Sequence, residues 1–505
     1  MTQVSPERAR PPESTGRHAC ATLLLLARNS LASVAVAWAA TMLCSLGALS
    51  APPAAQSYDA FLLATLLYSQ FSFCFIGTWL TAVTFTAHRF KGRPSQGPTP
   101  LWVCSVRIAR RALPFYVVAA AAMVGITAGC AALDCPLRAY KIEYYLGCLA
   151  QYFYLVGLGL VARFVFKRET IQWQDRVGSA NASASASTQP RRVATSAASA
   201  RLFHRWPRMA LARLPFLVSF IAAVAYIQVL SALVIDSEAK LVALMAGNLL
   251  MKMLVQRVLK RSMQRVNIQH IRSMLLLRVN IQHIRSMLLL VGFPIVLIDT
   301  QLRIILQRVT SVSLTFQGSF LMVLMEIAVR VFKSRSLRHQ IARLDDQERT
   351  LSTVAVAPAR TETQANETRS QLVRTKQQLL IYRSAELYAD MSAEYIAMGC
   401  AAALLVVLWD HPKYRLGALV ASHIHTSDSS SEGPVQKWSR QQTVALAVQV
   451  VMEMGVDLIS CVVEIAHGVT FYEVRKEGAY VALLFIATAV ANVMVSTVVY
   501  LRFDT

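Results

Sequence analysis

About ten apolar segments, each close to the length a helix needs to cross a bilayer, recur along this chain, separated by loops alternately rich and poor in Lys and Arg. Hydrocarbon admits only segments that satisfy their own backbone hydrogen bonds. The pattern therefore predicts an all-α fold, a polytopic transmembrane bundle of about 10–11 spanning helices.

Composition agrees. Of 505 residues 55% are hydrophobic and 16% charged, where a soluble domain carries about 25% charged residues. The formal charge of +23 is spread among the apolar spans without any zinc-finger, RRM or basic-zipper signature, so nucleic acid is not the expected partner. The positive-inside rule accounts for these cations. The expected partners are the bilayer, anionic lipid headgroups at the basic loops, and an inorganic cation or proton; protein partners leave no signature. Nine cysteines show no C-x-x-C or Cys/His ligand spacing, so neither a zinc site nor a disulfide scaffold is implied, although Cys130 and Cys135 flank one short loop and are placed to pair.

The organisation reads as follows. Residues 1–19 are a polar N-terminus, placed in the cytoplasm by the basic residues Arg89 to Arg111 after the second span, and the apolar stretch that follows reads as an uncleaved signal-anchor. Residues 20–166 hold a first transmembrane group of about four helices. Residues 167–213 are a Ser/Ala/Arg-rich linker expected to be disordered and cytoplasmic. A second group, 214–332, contains about four more helices, with Lys252 expected to snorkel towards headgroups. Within it a 13-residue sequence occurs twice in tandem over 265–290, and an unbroken helix would turn the second copy about 140° from the first. Residues 333–390 are polar and partly helical, with Leu372, Leu379, Leu380 and Leu387 at heptad-like spacing, and read as a helical extension into the next span. About three helices fill 391–505, and the weak charge bias there leaves the side of the C-terminus open.

Ionisable residues inside spans cost roughly 2.5–3.5 kcal/mol each on insertion scales and so mark function by default. Along the tenth span Gln442, Gln449, Glu453, Asp457, Ser460, Glu464 and His467 fall within about 40° of one line on a helix of 100° per residue. Lipid does not tolerate such a stripe. It must face water or the cations of neighbouring helices, unless the helix lies in the interface. Three readings stay open: Glu453, Asp457 and Glu464 pass a cation or proton, they are structurally neutralised by Arg303 and Arg330, or the segment is an interfacial amphipathic helix. In spans seven and eight Asp299 precedes Arg303 and Glu326 precedes Arg330 by four residues, the favourable order for local self-neutralisation. Pro294, near Gly292, is a candidate break in span seven.

Weaker candidates are His411, His423, His425 and Asp428 as metal ligands, against the plainer reading of a flexible Ser-rich loop. Asn181 and Asn366 match the glycosylation pattern but fall in loops assigned to the cytoplasm. No phosphate-binding, dinucleotide, nucleophile-elbow or zinc-protease motif is present. No cofactor, catalytic residue or enzymatic activity is therefore expected. The leading expectation is a cation- or proton-handling transporter or channel, and the alternative is a membrane scaffold or sensor acting through its two polar segments.

Overall fold

The computed structural model describes residues 15–86, 101–133, 138, 140–166, 206–231, 237–271, 277–308, 312–354, 359–414, 416, 440–476 and 478–503. Among them are eleven long helices and no strand: α1 (Thr15–Leu46), α2 (Tyr58–Thr86), α3 (Leu101–Ala132), α4 (Ile142–Phe166), α5 (Trp206–Ser231), α6 (Glu238–Ile271), α7 (Leu277–Arg308), α8 (Val312–Val354), α9 (Ala359–Leu408), α10 (Arg440–Ala466) and α11 (Gly478–Tyr500). A five-residue helix, Tyr472–Lys476, precedes α11. Eight of these, α1 to α4, α6, α9, α10 and α11, are long and apolar enough to cross a membrane. The apolar stretches of α7 and α8 carry the charges noted above.

Several expected boundaries move. α1 starts at Thr15, inside the expected polar N-terminus, and residues 206–213 of the expected disordered linker are the first turns of α5. The tandem repeat straddles the end of α6 and the start of α7, with its residues 272–276 outside the described residues. α7 runs unbroken through Pro294. Proline removes one backbone donor, and close packing on every side holds the helix there, since residues 292–307 are all buried. Cys135, the expected partner of Cys130, lies outside the described residues, as do Asn181, His423, His425 and Asp428; Asn366 belongs to α9.

Polarity is arranged for lipid. On α3 the side chains of Trp102, Val106, Leu113, Val117 and Val124 are exposed along one flank, as a hydrocarbon-facing surface requires. α7 is the central post, packed by α9, α5, α11 and α6, and α1 lies against α9 and α11. At Gly399 the backbone of α9 comes so close to Val34 of α1 that an added methyl would strike the valine side chain.

One face of the bundle is closed by turns. Gly47, with φ 60°, ends α1, and the Gln56 amide fastens the following loop by donating to the carbonyls of Leu46, Ala48 and Ala51 while accepting the Ala48 N–H at 2.8 Å. Lys141 donates to the last carbonyls of α11, Val498 at 2.6 Å, Val499 at 3.1 Å and Leu501, groups that a helix C-terminus leaves unpaired. Arg138 joins Glu143 at 2.7 Å to Asp59, with its guanidinium over the rings of Tyr58 and Phe503. His411 Nδ1 accepts the Lys413 N–H at 3.2 Å, so Nε2 donates to the Ser45 carbonyl at 2.8 Å. Both ring nitrogens are used, which removes His411 as a metal ligand. The end of α11 lies on this turn face, and α1 begins at the opposite face.

From that opposite face an arm emerges. At 43 and 50 residues, α8 and α9 measure about 65 and 75 Å, more than twice the roughly 30 Å of hydrocarbon. Lys333 meets Glu386 and Asp390, Asp345 meets Lys376 at 2.7 Å, and Glu348 meets Arg369 at 3.1 Å. Partners advance along α8 as they recede along α9, which defines an antiparallel hairpin. The expected helical extension is present, with Leu380 and Leu387 turned to the core, but the part nearest the bundle is buried.

Gly399→Ala should lower the unfolding temperature of the detergent-solubilised protein by several degrees, whereas Gly125→Ala, where an added methyl meets nothing, should leave it unchanged. Burial, reinforced by the Lys413 charge, holds the His411 pKa below its usual value. A base so depressed contributes stability that is complete above about pH 6.5 and is lost as the pH falls towards its folded value. Thermal unfolding followed across that range should show the loss, and His411→Gln should remove that part of the pH dependence.

Candidate intramembrane carboxylate site

The acidic stripe of the tenth span faces the interior of the bundle. On α10 Gln449, Glu453, Asp457 and Glu464 are all buried, whereas Val451, Met454, Ile459 and Val462 on the other flank are exposed. The helix is thus split between a polar seam towards α7, α8 and α9 and an apolar back, as its period dictates. Gln442 lies in α10 with its side chain outside the described set, and His467 is exposed beyond its end, with Nδ1 on the Val463 carbonyl at 2.6 Å.

Each cation meets its anions across helices. Arg303 of α7 donates to Glu453 of α10 at 2.7 Å and reaches Gln449 at 3.5 Å. Gln449 in turn donates to Ser319 of α8. Arg330 of α8 contacts Glu394 of α9 at 2.7 Å, Asp457 of α10 at 2.6 Å and Glu326 of its own helix at 3.1 Å, and also donates to Ser460. Lys252 of α6 binds Asp299 of α7 at 2.9 Å. Nearer the arm, Lys333 sits between Glu386 at 3.0 Å and Asp390 at 2.9 Å, Gln256 donates to Asp390, and Arg383 pairs with Glu464.

These contacts correct two expectations. Asp299 is held by Lys252 and not by its helical neighbour Arg303, because Lys252 points inward between α6 and α7 rather than snorkelling to headgroups. Glu326 does keep Arg330, but shares it with two acids from other helices. The polar segment 333–390 also contributes the buried Arg383, Glu386 and Asp390 to the bundle.

Three carboxylates stand apart from simple pairing. Oxygens of Glu326, Glu394 and Glu453 lie within 4.8 Å of one another. Their depths agree, since they fall 14, 14 and 13 residues from the turn-face ends of α8, α9 and α10, about 20 Å in each case. Glu394 Oε1 and Glu453 Oε2 are buried and receive no hydrogen bond. Charge is unbalanced here as well. Among the described residues, the four acids of this layer, with Asp457 as the fourth, form ion pairs with Arg303 and Arg330 alone, an excess of two negative charges once Lys252 is counted with its own partner Asp299. Lys333 between two acids leaves one more, and the other two pairs balance.

A cavity of about 70 Å³ opens beside this layer, lined by Asn248, Lys252, Asp299, Glu326 and Glu394 among others. Its wall is mostly apolar with a few polar groups, and it has room for a few water molecules. The Asn248 side-chain oxygen is buried and without a hydrogen bond.

Sequence reasoning found Glu326, Arg330, Arg303 and Glu453 but missed Glu394 and Asn248. A signal existed. Glu386, Asp390 and Glu394 recur every four residues on α9, as do Asn248, Lys252 and Gln256 on α6, so both carry polar seams of the kind seen on α10.

The fold and the lipid-compatible exterior define a multi-pass helical membrane protein. No family model, curated protein or solved structure matches the chain.

Removing one member of a buried pair strands the other charge, at a cost of about 3–5 kcal/mol. Arg303→Met alone should therefore destabilise the protein by about that amount, and adding Glu453→Gln should restore much of the loss. Chemical unfolding in detergent of the two single variants and the double variant measures the coupling.

Proposed function

We propose that the protein is a cation- or proton-handling transporter or channel, with Glu326, Glu394 and Glu453 as its central site. The single observation that carries this reading is the group of three carboxylates, two of them fully buried, in a layer with two more acids than guanidinium groups beside a cavity midway through the bundle. Such a site is expensive in hydrocarbon unless something positive visits it. Asp457 and Glu464, first candidates by sequence, serve here to hold Arg330 and Arg383 in place. Asp299 with Lys252 flanks the layer, while Lys333 with its two acids continues the polar seam towards the arm face and supplies exchangeable partners for an ion moving that way. The reaction involves no covalent step. In this reading the arm and the N-terminus are cytoplasmic, following the positive-inside rule, and the basic loop before α3 rests on anionic headgroups.

A second reading rests on the arm. A hairpin that outreaches the bilayer by tens of ångströms suits a scaffold or sensor that docks a partner there.

Proton, monovalent-cation and calcium flux into proteoliposomes separates the two. Flux through the intact protein that falls at least about tenfold in a folded Glu394→Gln variant supports transport. Absence of flux from the intact protein rejects transport and leaves the arm, whose deletion should then abolish partner binding while the bundle stays folded.

A further inference from the structure

We propose that Glu326, Glu394 and Glu453, together with the Asn248 side-chain oxygen, bind one divalent hard cation of the calcium class. The inference rests on the cation-handling reading above and names its ion. Three observations carry it, of which the last is independent of the acids.

The first is charge. The layer holds two more carboxylates than guanidinium groups, and one divalent ion cancels that excess completely. A monovalent ion leaves one negative charge buried, and two protons are the remaining way to reach neutrality.

The second is geometry. Three oxygens no more than 4.8 Å apart lie within roughly 2.8 Å of a common point, so a contraction of a few tenths of an ångström reaches the roughly 2.3–2.6 Å of calcium–oxygen bonds. Magnesium, at roughly 2.0–2.1 Å in a near-ideal octahedron, needs a larger rearrangement of four packed helices. The ligands come from α6, α8, α9 and α10, which explains why no single helix shows a binding motif.

The third is the unfilled acceptor. Asn248 Oδ1 is not acidic, is only 4% exposed, lines the cavity next to Glu326 and Glu394, and meets no donor. Buried carbonyl oxygens are normally hydrogen-bonded, so an orphan one in the wall of the cavity that Glu326 and Glu394 also line is the acceptor we assign to the cation. The donor set is entirely oxygen, the preference of hard ions. Water in the cavity completes the six to eight ligands that calcium takes.

The test is equilibrium binding of radioactive calcium to the intact, purified protein in detergent, at neutral pH and physiological potassium. One calcium per chain is expected, with affinity reduced at least about tenfold by Glu394→Gln and severalfold by Asn248→Leu. Glu348→Gln, on the projecting arm and paired there with Arg369, should leave binding unchanged. Circular dichroism and gel filtration establish folding, and the uncharged Asn248 variant keeps the test decisive should Glu394→Gln fail to fold. No calcium bound by the intact protein, or binding unaltered by the Asn248 and Glu394 substitutions, overturns the proposal and assigns the two missing charges to protons. Calcium binding without any flux upholds this site and rejects transport. Glu394-dependent proton flux without calcium binding upholds transport and rejects this site.

Discussion

The cost of burying charge where water is scarce governs the inner half of this molecule. An ion moved into a low-dielectric interior loses several kcal/mol that only close, well-aligned partners return. Five cationic side chains of α6 to α9 lie among the carboxylates of α7 to α10, and most find their counter-charge on a different helix. The network therefore fixes depth and rotation for five helices at once: sliding α10 by one turn, about 5.4 Å, would separate Arg303 from Glu453, Arg330 from Asp457 and Arg383 from Glu464 together. Apolar packing against lipid-like side chains offers no comparable register.

Elsewhere the bundle is held by other means. The α1, α2, α4 and α11 region is tied by close backbone approach at Gly399, by polar bridges such as Asn492 to Thr300 and Tyr500 to Gln301, each 2.7 Å, and by the turn-face clasp in which Lys141 occupies the end of α11. This half is neutral in its interior and rigidly closed at one face. The charged half is neither. Its seam runs from Gln449 and Ser319 on the turn side, through the carboxylate layer, to the charged groups at the base of the arm.

The arm links the two ideas. α8 and α9 carry central ligands, Glu326 and Glu394, and continue without interruption into the projecting hairpin. A force or partner acting on the hairpin is mechanically coupled to the carboxylate layer through Arg330, Lys333 and their acids.

The amino-acid order by itself determined the helical class, the approximate position of the eleven long helices, eight of which are long and apolar enough to cross a membrane, and the polar seam of α10, because those follow from segment hydropathy and a 3.6-residue period, both local properties. It offered Arg303 and Arg330 as counter-ions of that seam, as one of three open readings. Only the tertiary structure decided which acid each cation serves. Local spacing favoured Asp299 with Arg303, but Lys252 on a neighbouring helix took the aspartate and released the arginine for Glu453. Only the tertiary structure drew Glu394 and Asn248 to Glu326 and Glu453, and placed the end of α11 across the bundle from the start of α1. Pairing between helices depends on how four separate segments are rotated and set in depth, and that information is shared among residues hundreds of positions apart, where no local pattern records it.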